Sequence, residues 1–403
     1  MGLYDAFDQN ACTLCGECFH QCPVLHLPLE DAKREIVGLI EGKRTGVVLK
    51  KCTSCLSCNL VCPQACNPAQ LILEHWHALY REEGLPARAG YFIPHHRPNF
   101  RTYVQERLPE DEKVLVRQWD DTSPCEEILY PGCNIITTPY LMMTSLFGGI
   151  PIRGSLDLCC GEMYYRTGQF EQVAQVAARL TEHFEKMGVK RMLIPCTAGR
   201  NLFTNILPRF GARFTFEIEH VLPWILRRLE SGELEIRKKI DLTVTIQDSC
   251  HAKAFGDAYI NLPRRLLHML GAKVVEQEQC GNRVQCCGIG GGFSHASGYH
   301  PFSILATTSR VLNTARATGA QAVVTYCSGC MQQLAVGRLM LPFLWMEIYH
   351  ILELVQIAIG ETPKRRLTNR AMLLASGVVR NQFPKLVSRK RYTMDGLDAY
   401  HEK

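Results

Sequence analysis

The chain has 403 residues, 46% of them hydrophobic and 21% charged, with a formal net charge of +6 at pH 7, which allows two or three domains with sizeable cores. Its 20 cysteines fall in tight groups, which excludes the evenly spaced disulfide framework of a small secreted scaffold. Met1-Gly2-Leu3-Tyr4-Asp5-Ala6 lacks the features of a signal peptide, the best apolar run, Leu339 to Ile359, is broken by Pro342, Glu347, His350 and Glu353, and no aromatic-plus-basic platform for nucleic acid stands out.

From the N-terminus, Cys12-x-x-Cys15-x-x-Cys18-x-x-x-Cys22-Pro23 is followed by the same spacing at Cys52, Cys55, Cys58, Cys62 and Pro63. Each run is the bacterial ferredoxin pattern for a cubane 4Fe-4S cluster, in which the fourth cysteine ligates the other cluster. The spacing therefore predicts Cys12, Cys15, Cys18 and Cys62 around one cubane, and Cys52, Cys55, Cys58 and Cys22 around the second. A zinc site fits these runs poorly, because it wants four ligands in paired CxxC groups. Asp31 to Ile40 has helical spacing, and Asn67-Pro68 opens a helix from Ala69 to Glu83 that stops at Gly84. Residues 1–80 thus read as a helical two-cluster, ferredoxin-like domain, with Cys66 structural. Residues 81–127 are rich in Pro, Arg and acidic side chains and weak in periodicity, which predicts a docking linker with His95-His96 in a solvated basic turn.

The remainder repeats itself, once over 128–235 and again over 236–360. Each copy opens with a short apolar strand (Ile128 to Tyr130; Leu242 to Ile246) that leads to a cysteine, Cys133 or Cys250. A helical stretch stopping at Gly148 or Gly271 comes next, then a short strand at Ile150 to Ile152 or Lys273 to Val275. A twin-cysteine turn follows, Cys159-Cys160-Gly161 or Cys286-Cys287-Gly288, and then a long amphipathic helix closed by Gly188 or Gly319. A strand (Arg191 to Ile194; Ala322 to Thr325) leads into Cys196-Thr-Ala-Gly199 or Cys327-Ser-Gly-Cys330. His220 and His350 occupy matching positions near the end of each copy and read as core histidines. Strands alternating with helices predict two α/β units with largely parallel sheets and cysteines at strand ends. The fold class expected is α+β overall, a helical two-cluster ferredoxin-like domain followed by two repeated α/β domains and a basic tail over 361–403.

The duplicated pattern of Cys, then Cys-Cys-Gly, then Cys-x-x-Cys resembles the cysteine-rich CCG domain family. The chain as a whole, over roughly residues 1–360, resembles the D-type subunits of heterodisulfide reductase, in which a ferredoxin-like module is fused to a module with two CCG domains. That resemblance implies a noncubane 4Fe-4S cluster on Cys250, Cys286, Cys287, Cys327 and Cys330, at which a disulfide is split by one-electron steps. The first copy departs from the pattern, because Cys133, Cys159, Cys160 and Cys196 match but Gly199 stands where the fifth thiol belongs. For that copy the resemblance leaves zinc, an altered iron–sulfur cluster or no metal.

Other residues extend this reading. His251, directly after Cys250, is a candidate proton donor beside the cleaved disulfide, with a role in supporting the cluster as the alternative. Gly288-Ile-Gly-Gly-Gly292 is neither a Walker loop nor G-x-G-x-x-G and reads as a turn wrapping a cluster. Cys125 and Cys280 lie outside the motifs as unligated thiols. The basic stretch Thr362 to Arg391 has no acidic residue, so it reads as a solvated segment or an arm for an acidic partner subunit. The expectation is a cytoplasmic electron-transfer subunit of a multisubunit oxidoreductase, whose partners are flavin- or iron–sulfur-containing subunits and a thiol or disulfide substrate, with peripheral membrane association through a partner left open. The alternatives are the iron–sulfur subunit of a flavin-dependent glycolate or lactate dehydrogenase, and a pure relay or scaffold in an electron-bifurcating or low-potential reductase assembly.

Overall fold

The computed structural model describes residues 2–403. Its N-terminal part is helical, with two long helices packed beside the cysteine turns. Leu29–Ile40 turns Ala32, Ile36 and Leu39 inward and carries Glu30 and Asp31 in its first turn, where carboxylates complement the positive end of the helix dipole. Pro68–Glu83 has proline at its first position and buries Ile72, Leu73, Trp76 and Tyr80. The Trp76 indole donates to the Leu49 carbonyl at 3.0 Å. Gly84 ends this helix with φ 73, and a Cβ there would lie 2.7 Å from the Tyr392 carbonyl oxygen. Glycine is thus required where the C-terminal strand crosses.

The stretch 81–127 is more ordered than its composition suggests. It contains the helices Phe100–Glu106, capped by Asn99 and Thr102, and Glu110–Trp119. His95 is buried rather than solvated, its Nδ1 3.0 Å from the Tyr164 hydroxyl and its Nε2 3.2 Å from the Asp157 carbonyl. Burial holds its pKa down to about 4, against an ordinary value of 6.5. Between those values the unfolded chain binds the proton more readily than the folded chain, so stability should fall as pH drops from 6.5 toward 4. The His95 contribution is up to about 3 kcal/mol. Urea midpoints measured across this range should slope less in His95→Gln than in the native protein, and identical slopes would refute the assignment.

Two parallel sheets follow. The first has the order Glu127–Leu129, Arg191–Ile194, Glu217–His220. The second has the order Lys273–Val274, Thr243–Gln247, Ala322–Thr325, Glu347–His350. Ala322–Thr325 is buried along its whole length, as a central parallel strand covered on both faces must be. Helices Phe170–Met187 and Pro301–Ala317 precede the Arg191 and Ala322 strands. The strand expected at Ile150 to Ile152 shrinks to one bridge, Leu129 to Ile152, and the segment before Gly148 forms a short helix, Gly132–Ile136, and two 3-10 turns instead of one helix. His220 and His350 are buried and cap the helices that follow them, accepting from the Leu222 and Leu352 amides at 3.1 and 3.4 Å.

The basic C-terminal segment folds back on the body. Helix Leu367–Asn381 buries Leu367, Ala371 and Leu374 and packs on helices Ser328–Met340 and Phe100–Glu106. Lys364, Arg365, Arg366 and Arg370 all pair internally, with Asp111, Glu112 and Glu347 among their partners. Strand Arg391–Met394 then runs antiparallel to both Leu85–Pro86 and Tyr400–Glu402. The segment whose sequence reads as solvated or as a partner-docking arm is therefore an integral layer. Among the described residues no helix is long and apolar enough to cross a membrane.

Candidate metal and redox centre

Tight turns gather the N-terminal cysteines into two groups. Cys18 lies close enough to Cys62, Cys12 and Cys15 to feel their charges, and burial with this crowding pushes its thiol well up. Cys52 is likewise pushed up by burial and by Cys55 and Cys22. Cys62 thus lies near the first run and Cys22 near the second, while Cys58 feels both Cys52 and Cys18. In the first set Cys12, Cys15 and Cys62 are half-buried and Cys18 is buried; in the second Cys22, Cys55 and Cys58 are buried and Cys52 is half-buried. Cys66 is buried beside the first set, its amide 3.4 Å from Cys62 Sγ.

The second set lies against the C-terminal half of the chain. The buried Lys253 ammonium donates to the Cys55 carbonyl at 2.9 Å, to Ser57 Oγ at 2.6 Å and to the Val284 carbonyl at 2.8 Å. Burial pushes the Cys55 thiol up, but Lys253 and the Ser57 hydrogen bonds outweigh it and hold the thiol below its usual range. At Gly290 a Cβ would stand 2.4 Å from the Thr53 carbonyl oxygen and 3.0 Å from Cys286 Sγ. The run of glycines therefore lets two cysteine turns meet backbone to backbone, and the Gly290 amide donates to Cys286 Sγ at 3.3 Å.

The remaining motif cysteines surround one cavity of about 200 Å³. Cys133, Cys159, Cys160 and Cys196 line it together with Cys250, Cys286, Cys287, Cys327 and Cys330. Cys133, Cys196, Cys250 and Cys327 follow the carboxyl ends of strands, where open α/β sheets place ligands, whereas the twin cysteines come from turns and Cys330 from the helix after Cys327. Cys133 and Cys159 sulfurs stand 3.7 Å apart. Cys286 lies against Cys250, and Cys327 lies against both Cys330 and Cys196, so the two groups of thiols adjoin. Hydrogen bonds from Cys250 and Cys287, helped by Arg166, hold Cys286 well below the usual thiol range. Gly199 lines the same cavity without offering a thiol. Among the described residues no three Cys, His, Asp or Glu side chains are gathered as a single-ion site. The thiols instead ring a volume, which suits a multi-atom group. Cys125 and Cys280 lie outside this ring.

Two buried arginines face these sulfurs, and spacing in the sequence singles out neither. Arg166, with 4% of its side chain exposed, reaches Cys250 Sγ at 3.4 Å, Glu162 Oε1 at 3.2 Å and the Thr53 carbonyl at 2.6 Å. Arg101 lies beside Cys133 and Cys159, and the pull of those thiols outweighs burial and raises its pKa. Among the described residues its guanidinium donates to the Phe92 carbonyl at 3.1 Å and to Met163 Sδ at 3.0 Å. Guanidinium does not lose its proton in proteins, and a buried cation needs a counter-charge. Crowding among the thiols and burial hold Cys133 and Cys159 above the usual thiol range, so they would supply that charge once a bound metal displaces their protons.

His251 is held by groups from the other half of the chain. Asn205 donates to Asn201 Oδ1 at 2.9 Å, so the Asn201 amide nitrogen faces His251 Nδ1 at 2.9 Å as the donor. This network places the imidazole proton on Nε2, 3.1 Å from Glu162 Oε1. Burial pushes the Glu162 carboxyl up, but His251 and Arg166 outweigh it and keep it below its ordinary value. Glu162 follows Cys159-Cys160-Gly161 directly. A charged i, i+4 pair between Met163, Tyr164 and Tyr165 was the signal available for Glu162 and Arg166.

Comparison with known proteins agrees with this geometry. Residues 4–81 match the 4Fe-4S dicluster domain, and residues 144–199 and 244–335 match the cysteine-rich CCG domain. The chain is 26% identical to the D-type subunit of dihydromethanophenazine:CoB–CoM heterodisulfide reductase from Methanosarcina mazei, over 88% of this chain and 95% of that protein. It is 22% identical to the EtfAB:quinone oxidoreductase of Syntrophomonas wolfei, over 72% of this chain and 49% of that protein. It is also 26% identical to a probable iron–sulfur-binding oxidoreductase of Bacillus subtilis, over 70% of this chain and 37% of that protein. Among solved structures, an aspartate racemase from Picrophilus torridus aligns with 61% of this chain and 100% of its own at 11% identity and a TM-score of 0.30, a likeness too low to carry an argument.

Proposed function

We propose that this chain, an iron–sulfur oxidoreductase subunit similar to the D-type subunit of heterodisulfide reductase along 88% of its length, carries electrons from its surface to a sulfur-lined cavity where a disulfide is reduced. Cys12, Cys15, Cys18 and Cys62 would hold one cubane 4Fe-4S cluster, and Cys52, Cys55, Cys58 and Cys22 the second. Cys250, Cys286, Cys287, Cys327 and Cys330 would hold a noncubane cluster. The two α/β units are read as a duplication whose first copy lacks one thiol, at Gly199. These groups, when bound, supply one-electron transfer and, at the five-cysteine set, a place to split a sulfur–sulfur bond.

The observation that carries this reading is the continuity of contacts from the Cys52 turn to the five-cysteine set. Lys253 ties the Cys55 carbonyl to the Val284 carbonyl, and Arg166 ties the Thr53 carbonyl to Cys250. Thr53, Ser57, Lys253 and Cys286, where the two meet, are all buried. His251 holds a proton on Nε2 at the cavity wall, and Glu162 fixes its orientation. A released thiolate needs a proton, so the imidazolium form of His251 is proposed as the donor, returning to the neutral ring on transfer, with Glu162 as its positioning residue. Arg101 supports an anionic, metal-holding set at Cys133, Cys159, Cys160 and Cys196 as well. A single zinc or an altered cluster would satisfy that charge. Gly199 favours a second reading for that set, in which it passes electrons or stabilises the fold without touching substrate.

Iron analysis of anaerobically reconstituted protein tests the assignment. The ferredoxin motifs account for about eight irons per chain, and the native protein should exceed that. Cys286→Ser should return iron to about eight while leaving the cubane signals in paramagnetic resonance unchanged. Native protein that holds no iron above the cubane complement would refute the noncubane assignment. A new paramagnetic signal on adding thiol to the oxidised protein would support disulfide chemistry, whereas its absence would favour a relay alone.

A further inference from the structure

The cavity has a second half that the cysteines do not account for. Beyond its sulfur-lined floor the wall is built by helices Pro301–Ala317, Ser328–Met340 and Leu367–Asn381 and the turn at Phe383. Phe302, Leu305, Val336, Met340, Val379 and Phe383 line this outer part. Four of them are exposed at the rim: Phe302 at 57%, Met340 at 46%, Val379 at 50% and Phe383 at 37%. The Phe302 and Phe383 rings stand 6.0 Å apart and contact each other as an apolar pair on the rim.

Charge is as informative as shape. The charged side chains that line the cavity are Arg101, Glu162 and Arg166, with His251 as the other titratable wall group besides tyrosine and cysteine. All of these are committed at the floor, Arg101 to Cys133 and Cys159, Arg166 to Cys250 and Glu162, and His251 to Glu162. The polar residues of the wall between floor and rim, Gln332, Gln333 and Gln382, are neutral. Among the described residues no lysine or arginine lines the mouth to receive a sulfonate, phosphate or carboxylate, and no carboxylate lines it to receive an amine. Burying an aliphatic arm there is favourable for each methylene removed from water, whereas burying an unpaired charge is costly. Whatever group the cysteines hold takes up the floor, so the apolar mouth is the part left for substrate.

We infer that the cavity takes an uncharged thiol or disulfide carried on an aliphatic arm, and selects against small charged disulfides. The inference rests on the proposed disulfide chemistry and deepens it by naming the substrate class. The reaction would be R–S–S–R plus two electrons and two protons giving two R–SH. The sulfur–sulfur bond breaks and two S–H bonds form, with the electrons supplied by a low-potential one-electron donor such as reduced methyl viologen.

The test compares three disulfides of similar length on anaerobic holoprotein: dipropyl disulfide, dithiodipropionate and cystamine. KM is measured with reduced methyl viologen, and binding of the matching thiols (propanethiol, mercaptopropionate and cysteamine) by calorimetry. Dipropyl disulfide should show a KM at least about tenfold below the two charged compounds, and propanethiol should bind correspondingly tighter. Val379→Lys, a change at the exposed rim, should narrow or reverse the gap against dithiodipropionate and leave cystamine disfavoured. Equal or tighter binding of the charged thiols to native protein would overturn the inference while leaving disulfide reduction intact. Preferential binding of propanethiol with no reduction of any disulfide would overturn the disulfide reading and leave the apolar-ligand assignment standing.

Discussion

Arg370→Met is expected to destabilise the protein by roughly 3 kcal/mol, the lower end of the cost of breaking a buried ion pair. Glu112 is fully buried and receives Arg370 at 2.6 Å and Arg366 at 2.7 Å. Only 2% of the Arg370 side chain is exposed. Without Arg370 the carboxylate keeps one partner, and the helix Leu367–Asn381 loses the contact that joins it to Glu110–Trp119. The urea midpoint should drop, and protease should cut the C-terminal helix sooner. Glu112→Leu combined with Arg370→Met should recover most of the loss, because it removes the half-compensated buried carboxylate as well as its partner, and Arg366 keeps Asp111. A single-variant loss below about 1 kcal/mol, the scale of an exposed pair, would show that the ion pair does not hold this helix. The cavity mouth depends on the same contact, since Val378 and Val379 reach it from that helix.

Much of this architecture is legible in the residues, and the parts that are not share a cause. The two cysteine runs fix their own turns, and helices such as Phe170–Met187 repeat their apolar face over enough turns for the period to be read. Helices Phe100–Glu106 and Glu110–Trp119 have only 7 and 10 residues, too few to establish a period among many charged side chains. The basic tail reads as solvated because its counter-charges, Asp111 and Glu112, lie about 250 positions earlier in the chain. At the site, the cysteines announce themselves by spacing, but their charge environment does not. Arg101 comes from the stretch whose composition suggests a linker. Glu162 and Arg166 follow the twin cysteines of one unit, yet they contact His251 and Cys250 of the other. Contacts between units leave no periodic trace in a sequence. Only a charged residue placed where burial is expected hints at them.

Arg166→Met carries the other large expected effect, on redox potential rather than stability. The guanidinium is buried against Cys250, and Cys286 also feels its charge. A fixed positive charge stabilises the more reduced, more negative state of any iron–sulfur group these thiols hold, so it raises the reduction potential. Methionine keeps much of the volume and removes the charge, and the potential of that centre should fall by on the order of 60 mV or more, equivalent to tenfold in a one-electron equilibrium. The cubane held by Cys52, Cys55, Cys58 and Cys22 should shift less, because Lys253 remains beside Cys55. Potentiometric titration followed by paramagnetic resonance separates the two centres, and iron content shows that both are still assembled. Arg166→Lys should restore most of the potential but not the hydrogen bond to the Thr53 carbonyl, since a single ammonium does not reproduce the planar fork that spans Thr53, Glu162 and Cys250. Charge and positioning are thereby separated: a potential that recovers with lysine while electron transfer from the cubane stays slow would assign Arg166 to both duties. An unchanged potential in Arg166→Met, with iron retained, would mean that the counter-charge to these thiols lies elsewhere.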